Sequence, residues 1–133
     1  MVVDTSVVIS IVKGEPDSAG FFTAIIAAET ALIGAPNLLE ASMVFVSRTD
    51  GDLRDIEAFC SGLGVRVVPF GPEEYRHAAR AFRLYGKGRH PARLNFGDCM
   101  AYAVSKATGE PLLFKGADFA KTDVTRHPAS AFE

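Results

Sequence analysis

The sequence has 133 residues, the length of one domain with one core. Hydrophobic residues make up 48% and charged residues 23%, an ordinary globular balance that excludes a chain disordered throughout. Fourteen basic against 16 acidic residues leave a net charge of −2, which excludes a nucleic-acid binder recognisable from net charge but allows a local basic groove.

The chain opens on a very short apolar strand, Met1-Val2-Val3, that ends at Asp4. A short helix is expected from Thr5-Ser6 through Val7, Val8, Ile9, Ile11 and Val12 to the breaker Lys13-Gly14. Glu15-Pro16-Asp17 reads as the opening of a second helix, with Phe21, Phe22, Ile25 and Ile26 at helical spacing. Residues 31–35 read as a buried strand. Pro36 starts a helix lined by Leu38, Leu39, Met43, Val44 and Phe45. After the break at Asp50-Gly51-Asp52, Leu53, Ile56, Phe59, Cys60 and Leu63 mark another helix, closed by Gly62 and Gly64. Residues 65–70 form the best strand of the sequence, and Pro72 opens a helix through Ala78, Ala79, Phe82 and Tyr85. A basic, glycine-containing loop covers residues 86–93. Asn95 then starts a helix that runs to about Gly109, and Leu112-Leu113-Phe114 is the last strand. Short apolar strands alternating with helices predict an α/β fold with a mostly parallel sheet, as one domain over 1–133.

No run approaches the roughly 20 apolar residues that cross a bilayer. The first residues lack the basic-then-apolar pattern of an export signal, so the expected compartment is the cytoplasm and no membrane role is expected. Cys60 and Cys99 are expected as reduced, buried thiols. The Cys/His zinc patterns and the glycine-rich nucleotide cradles are absent from the sequence.

Four acids fall at telling places. Asp4 ends the first strand and Asp118 follows the last, which puts both at the carboxyl edge of a parallel sheet, where ligands bind. Glu40 lies in the helix after the second strand, on a face shared with Asn37 and Val44. Asp98 lies in the first turn of its helix. Each also has a structural reading: Asp4 as a helix cap, Asp98 as half of a capping box with Asn95, Glu40 as a solvated residue, Asp118 as a turn residue. Together, four acids from four segments would repel one another unless a cation sat among them. An all-oxygen set selects a hard ion, Mg²⁺ or Mn²⁺, and such an ion suits phosphodiester hydrolysis. The basic residues Arg76, Arg80, Arg83, Lys87, Arg89 and Arg93 lie just before the Asp98 helix and would hold a phosphate backbone. His77, His90 and His127 are expected at the surface. Cys99 is expected in the core.

These residues resemble the PIN-domain ribonucleases, specifically the VapC-type toxins of bacterial toxin–antitoxin modules. The matching pieces are Val3-Asp4-Thr5-Ser6, Asn37-Leu38-Leu39-Glu40, Leu94-Asn95-Phe96-Gly97-Asp98 and residues 112–123. The resemblance implies a PIN-like three-layer fold and a Mg²⁺-dependent endoribonuclease, usually dimeric and neutralised by a cognate antitoxin. It implies Asp4, Glu40 and Asp98 as catalytic acids, with Asp4 and Asp98 as the main metal ligands. The fourth role goes to Asp118, with Asp123 as the weaker candidate, because Ala117 stands where relatives commonly carry a polar or acidic residue. Ser6 and Asn95 are expected to support the site. Arg80, Arg83, Lys87, Arg89 and Arg93 are expected to bind RNA. Hydrolysis by an activated water would leave a 5′-phosphate and a 3′-hydroxyl. Two other readings stay open: a non-catalytic PIN-like module that binds RNA or protein, and a Mg²⁺-dependent phosphatase acting on a small molecule. The phosphatase pattern wants a second aspartate two residues after Asp4, where this chain has Ser6.

Overall fold

The computed structural model describes residues 1–132. Its strands are β1 (Val2–Val3), β2 (Ala31–Gly34), β3 (Val65–Val68) and β4 (Leu112–Leu113). Its helices are α1 (Thr5–Lys13), α2 (Ser18–Ala27), α3 (Ala35–Arg48), α4 (Arg54–Gly62), α5 (Pro72–Tyr85) and α6 (Phe96–Thr108), with a 3₁₀ turn at Phe119–Lys121. The strands form one sheet in the order β3-β2-β1-β4, and every pairing is parallel. Val2 is in register with both Leu32 and Leu112, and Val3 with Leu113.

Alternate side chains on a strand face opposite ways, and here they divide the core in two. Val2, Leu32 and Leu112 pack with Ala78, Ala81, Tyr102 and Val104 of α5 and α6. Val3, Ile33 and Leu113 pack with Val7, Phe21, Leu38 and Ile56 of α1 to α4. This is the expected three-layer arrangement, and it explains why β1, β2 and β4 read as unbroken apolar runs. The edge strand β3 differs, since Arg66 and Val67 are exposed. On the other side, residues 125–131 run along β4. The Leu112 amide donates to the Thr125 carbonyl (2.8 Å) and the Ala131 amide to the Phe114 carbonyl (3.0 Å), which closes the sheet's second edge.

Some boundaries differ from expectation. The acids at Glu15 and Asp17 precede α2 instead of filling its first turn: the Ser18 amide donates to the Glu15 carbonyl (2.9 Å) in a turn ahead of the helix, and both acids pair with Lys115 (3.6 and 2.9 Å). β3 stops at Val68, before Pro69, which has no amide to donate to a ladder. The histidines are half-buried and not simply surface residues: His90 Nδ1 accepts the Ala92 amide (3.0 Å) and His127 Nδ1 the Ala129 amide (3.1 Å). Cys60 and Cys99 are buried free thiols, as expected.

The strand order places the site. β1, β2 and β3 run outward in one direction and β4 lies on the other side of β1, so the order reverses between β1 and β4. A crevice forms beyond the strand ends at such a reversal. Asp4 leaves β1 there, and residues 114–118 leave β4 there.

Candidate active site

Asp4 is 5% exposed and caps α1. Its Oδ2 accepts the Ser6 amide (3.0 Å) and the Ser6 hydroxyl (2.5 Å). The same hydroxyl accepts the Lys115 amide (3.0 Å), so Ser6 ties the end of β1 to the end of β4. Burial raises the Asp4 carboxyl to about 6, against the lowering effect of the Ser6 bonds, and repulsion from Glu40 adds to the rise.

Asp98 sits on the first turn of α6 in a reciprocal capping box. The Asn95 side chain accepts the Asp98 amide (2.9 Å), and Asp98 Oδ2 accepts the Asn95 amide (3.0 Å). Burial is again the main cause that lifts Asp98, here to about 7. The Asn95 amide lowers it, and the negative charges of Asp4, Asp118 and Glu40 raise it further. Three of the acids are therefore close enough to repel the fourth.

Glu40 reaches this group because of a glycine. A Cβ on Gly97 would fall 2.7 Å from the Glu40 carboxyl carbon, so any larger residue before Asp98 would displace Glu40. Asp118 is exposed and precedes the 3₁₀ turn without capping it. Asp123 is engaged elsewhere. Tyr102 donates its hydroxyl to Asp123 Oδ1 (2.5 Å) and Lys106 Nζ lies 3.2 Å from its other oxygen. Partial burial opposes its ionisation, but these bonds prevail and hold it below the usual carboxylate range. Of the two candidates for the fourth acid, the structure brings Asp118 to the group and does not bring Asp123.

Among the described residues, none of Asp4, Glu40, Asp98 and Asp118 has a basic partner within an ion-pair distance. Nor does any set of three His, Cys, Asp or Glu side chains among them form a ready-made metal cage. The donor chemistry still fits a hard divalent ion, since the group is all carboxylate and burial and mutual repulsion raise two of its members, a cost that a bound cation offsets. In both Asp4 and Asp98 the hydrogen bonds described fall on Oδ2.

The sequence gives Asn37 a place beside Glu40 but no role, and in the structure it joins the acid-bearing segments. It is 1% exposed. Its side-chain amide donates to the Gly97 carbonyl (3.1 Å) and to Thr5 Oγ1 (3.3 Å), while the Thr5 hydroxyl donates to the Asn37 carbonyl (3.0 Å). Thr5 follows Asp4, Gly97 precedes Asp98, and Glu40 lies one turn along α3. The available signal was the i, i+3 spacing of Asn37 and Glu40 on one helix face.

The residues assigned to RNA lie apart from the acids in charge and exposure. Arg80, Arg83, Lys87, Arg89 and Arg93 are all exposed. Their loop is nonetheless ordered by backbone bonds, with the Lys87 amide donating to the Leu94 carbonyl (2.9 Å) and the Leu94 amide to the Tyr85 carbonyl (2.9 Å). Arg93 takes a left-handed φ of 56°, a conformation uncommon for a residue with a Cβ.

The PIN domain family model matches residues 1–124. Ribonuclease VapC36 of Mycobacterium tuberculosis is 42% identical over 126 residues, covering 93% of this chain and 91% of the relative. Ribonuclease VapC30 of the same organism is 38% identical over 125 residues, covering 93% and 95%. Among solved structures, Mycobacterium tuberculosis VapC20, described as a sarcin–ricin loop cleaving toxin, superposes with a TM-score of 0.69 at 18% identity, covering 95% of this chain and 97% of that one. A toxin–antitoxin complex from Klebsiella pneumoniae gives the same TM-score at 12% identity, covering 98% of each chain. The fold is that of a PIN domain, and the chain belongs to the PIN-domain family.

Proposed function

We propose that this chain is a Mg²⁺-dependent endoribonuclease of the VapC type, acting as a toxin restrained by an antitoxin. The observation that carries the reading is the meeting of Asp4, Glu40, Asp98 and Asp118, from four segments, at the sheet's carboxyl edge without a basic partner. The names of the relatives support it.

Asp4 and Asp98 would hold Mg²⁺, or Mn²⁺ in its place, with Asp118 completing the set. When bound, the ion supplies an activated water and stabilises charge on the phosphoryl oxygen. Glu40, held against Gly97, orients the attacking water and accepts its proton. Ser6 and Asn95 fix Asp4 and Asp98 through one oxygen each. Arg80, Arg83, Lys87, Arg89 and Arg93 hold RNA phosphates away from the reacting group. The products are a 5′-phosphate and a 3′-hydroxyl.

Exposed apolar side chains on the other face supply the protein contacts. Phe22 and Ile26 of α2 and Leu39 and Met43 of α3 are all exposed, although their neighbours Phe21, Ile25 and Leu38 are buried. An antitoxin segment covers part of this surface and a second copy covers part. Among the described residues no helix is long and apolar enough to cross a membrane, and the reading places the protein in the cytoplasm.

The test is to incubate the purified chain with RNA and with p-nitrophenyl phosphate, in Mg²⁺ and in EDTA. The reading expects RNA cleavage in Mg²⁺, none in EDTA, and no release of nitrophenol. Release of nitrophenol with intact RNA would replace it by the phosphatase reading.

A further inference from the structure

Helix α6 carries a row of polar groups behind Asp98. Asp98, Tyr102 and Lys106 stand at intervals of four, so they follow one face of the helix. Asp98 belongs to the acid group, and the other two hold Asp123. The Tyr102 hydroxyl donates to Asp123 Oδ1 (2.5 Å), while Lys106 Nζ lies 3.2 Å from Oδ2 and 3.4 Å from the Asp123 carbonyl oxygen. The tyrosine is itself fixed by packing. It is 1% exposed, and its ring lies 6.0 Å from that of Tyr85, which meets His90 edge-on at 5.1 Å.

Asp123 ends the segment that carries Asp118. That segment leaves β4 through Gly116, whose φ of 117° is one that a residue with a Cβ rarely adopts. It then makes one 3₁₀ turn, in which the Thr122 amide donates to the Phe119 carbonyl (3.1 Å). Phe119 is buried, with its ring 5.2 Å from that of Phe114. Asp118 stands beside it, and its carboxylate neither caps the turn nor pairs with a base among the described residues. With Phe119 as its one anchor, the segment could turn about that side chain. Asp123 supplies a second anchor. Stability alone is a poor reason for it, because the Lys106 and Asp123 side chains are 31% and 51% exposed, and pairs so open to water add little. What the bonds fix is a position.

We propose that Asp123 is a positioning residue for Asp118: by tying the end of its segment to the face of α6 that starts at Asp98, it sets the separation of the two acids. This role rests on the reading of the acids as one metal site. An ion shared by carboxylates from separate segments is held only as firmly as those segments are held to each other. Groups that orient a ligand are accordingly worth about 10- to 100-fold in metal affinity.

The test is the binding of Mn²⁺ alone, followed by electron paramagnetic resonance, in a double-mutant cycle of Asp123→Ala with Asp118→Asn. Each single change should raise the Mn²⁺ dissociation constant about tenfold. In the Asp118→Asn background, Asp123→Ala should change it by less than about twofold, because the residue that it positions is already gone. Tyr102→Phe frees Asp123 Oδ1 and keeps the buried ring. It should weaken Mn²⁺ binding a few-fold and also lose its effect without Asp118. Ser105→Ala is the control for stability. Its hydroxyl, farther along α6, donates to the Glu110 carbonyl (2.6 Å), so its loss should lower the melting temperature and leave Mn²⁺ binding unchanged. Thermal melting reports whether each variant folds. Should Asp123→Ala not fold, Tyr102→Phe takes its place in the cycle.

A folded Asp123→Ala that melts lower but binds Mn²⁺ as the wild type does would overturn the proposal and leave Asp123 to the fold alone. A further tenfold loss in the Asp118→Asn background would overturn it too, since Asp123 would then act without Asp118. The nuclease reading fails separately. A coupled cycle in a chain that never cuts RNA in Mg²⁺ would remove that reading and leave the role of Asp123, whereas RNA cleavage by the wild type with an additive cycle would do the reverse. A wild type that takes up no Mn²⁺ would remove both.

Discussion

Asp4 and Asp98 sit in closed hydrogen-bonded frames, each with an oxygen fixed by its own helix start, whereas the cations between Tyr75 and Gly97 stand at the surface on long side chains with no ion-pair partner among the described residues. The two regions adjoin at Phe96-Gly97-Asp98. Their construction suits the tasks proposed for them. Groups that hold an ion and aim a water need fixed positions, because a small displacement is costly in rate. Groups that grip a phosphate chain need reach and weak individual contacts, because the chain has many phosphates and must leave. On the proposed function, one edge of the molecule carries precision and the neighbouring surface carries affinity.

The largest break in this comparison should come from Asp98→Asn. Asparagine keeps the shape and still accepts the Asn95 amide, so the capping box and the fold should survive. RNA cleavage should fall on the order of a hundredfold or more, the scale of removing one preorganised stabiliser of a transition state. RNA binding in EDTA should persist, since the cationic surface is untouched. Cleavage at the wild-type rate by a folded Asp98→Asn would reduce Asp98 to a cap.

A smaller effect should follow from Asn37→Ala, which severs the link between the acid-bearing segments without touching any acid. The expected result is a kcat lower by about tenfold, with KM unchanged, as for loss of a side chain that orients a ligand. Ser42→Ala is the control. Ser42 is also buried on α3, but its hydroxyl donates only to the Leu38 carbonyl of the same helix (2.8 Å). Both changes should cost stability, by about 1–3 kcal/mol at most. Equal kcat values for the two variants would show that Asn37 serves the fold alone.

Much of this was readable from the residues. The strand and helix order followed from apolar period and from Pro, Gly and Asx punctuation, as at Pro36, Pro72 and Asn95. Asp4 and Asp118 could be placed because a parallel sheet puts strand exits on one edge. What could not be read depends on distance across the chain. Nothing near Asp123 in sequence says that Tyr102 and Lys106 will claim it. Glu15 and Asp17 looked like a helix's first turn, yet their partner Lys115 lies about a hundred residues away. Asn37 reads as an ordinary helix residue until Thr5 and Gly97 are folded against it. The exposed rings of α5 were hidden for a related reason. Phe82 reads with Ala78 as part of the helix lining, but Ala78 and Ala81 take the buried face and leave the Tyr75 and Phe82 rings outside.

The electrostatics of the acid edge give a further test, of a few degrees in melting temperature. Burial and mutual repulsion raise Asp4 to about 6 and Asp98 to about 7, from an ordinary value near 3.8. Between those values the folded chain binds more protons than the unfolded one, so stability falls as pH rises from about 4 to about 7 and then levels off. This is the reverse of the usual salt-bridged carboxylate. Asp4→Asn removes one of the charges while keeping an acceptor for Ser6, and it should raise the melting temperature in EDTA at pH 7.5 by on the order of 5 °C. At pH 4.5 the difference should shrink. Mg²⁺ at a hundred times its dissociation constant should stabilise the wild type by about 2.7 kcal/mol, and Asp4→Asn by less. If Asp4→Asn melts below wild type in EDTA and both respond equally to Mg²⁺, the acids do not act as one site.

The smallest effect separates two lysines that differ in their company. Lys87 is exposed in the basic loop and has no ion-pair partner among the described residues, while Lys115, at the exit of β4, is held by Asp17 (2.9 Å) and Glu15 (3.6 Å). The bond it donates to Asp17 is the main cause that raises the Lys115 ammonium above its ordinary range. A cation already neutralised by two carboxylates releases no counterion when RNA arrives, whereas an unpaired one does. Lys87→Gln should therefore lower the slope of log affinity against log salt by about 0.7, the share of one contact to a single strand, and weaken binding a few-fold at moderate salt. Lys115→Gln should leave the slope unchanged although it lies nearer the strand exits. Fluorescence titrations in EDTA at several salt concentrations measure both. Equal slopes for Lys87→Gln and wild type would take the loop off the path of the phosphates, and a lower slope for Lys115→Gln would mean that RNA displaces Asp17 and Glu15, which would move the phosphate path from the surface of α5 to the mouth of the acid edge.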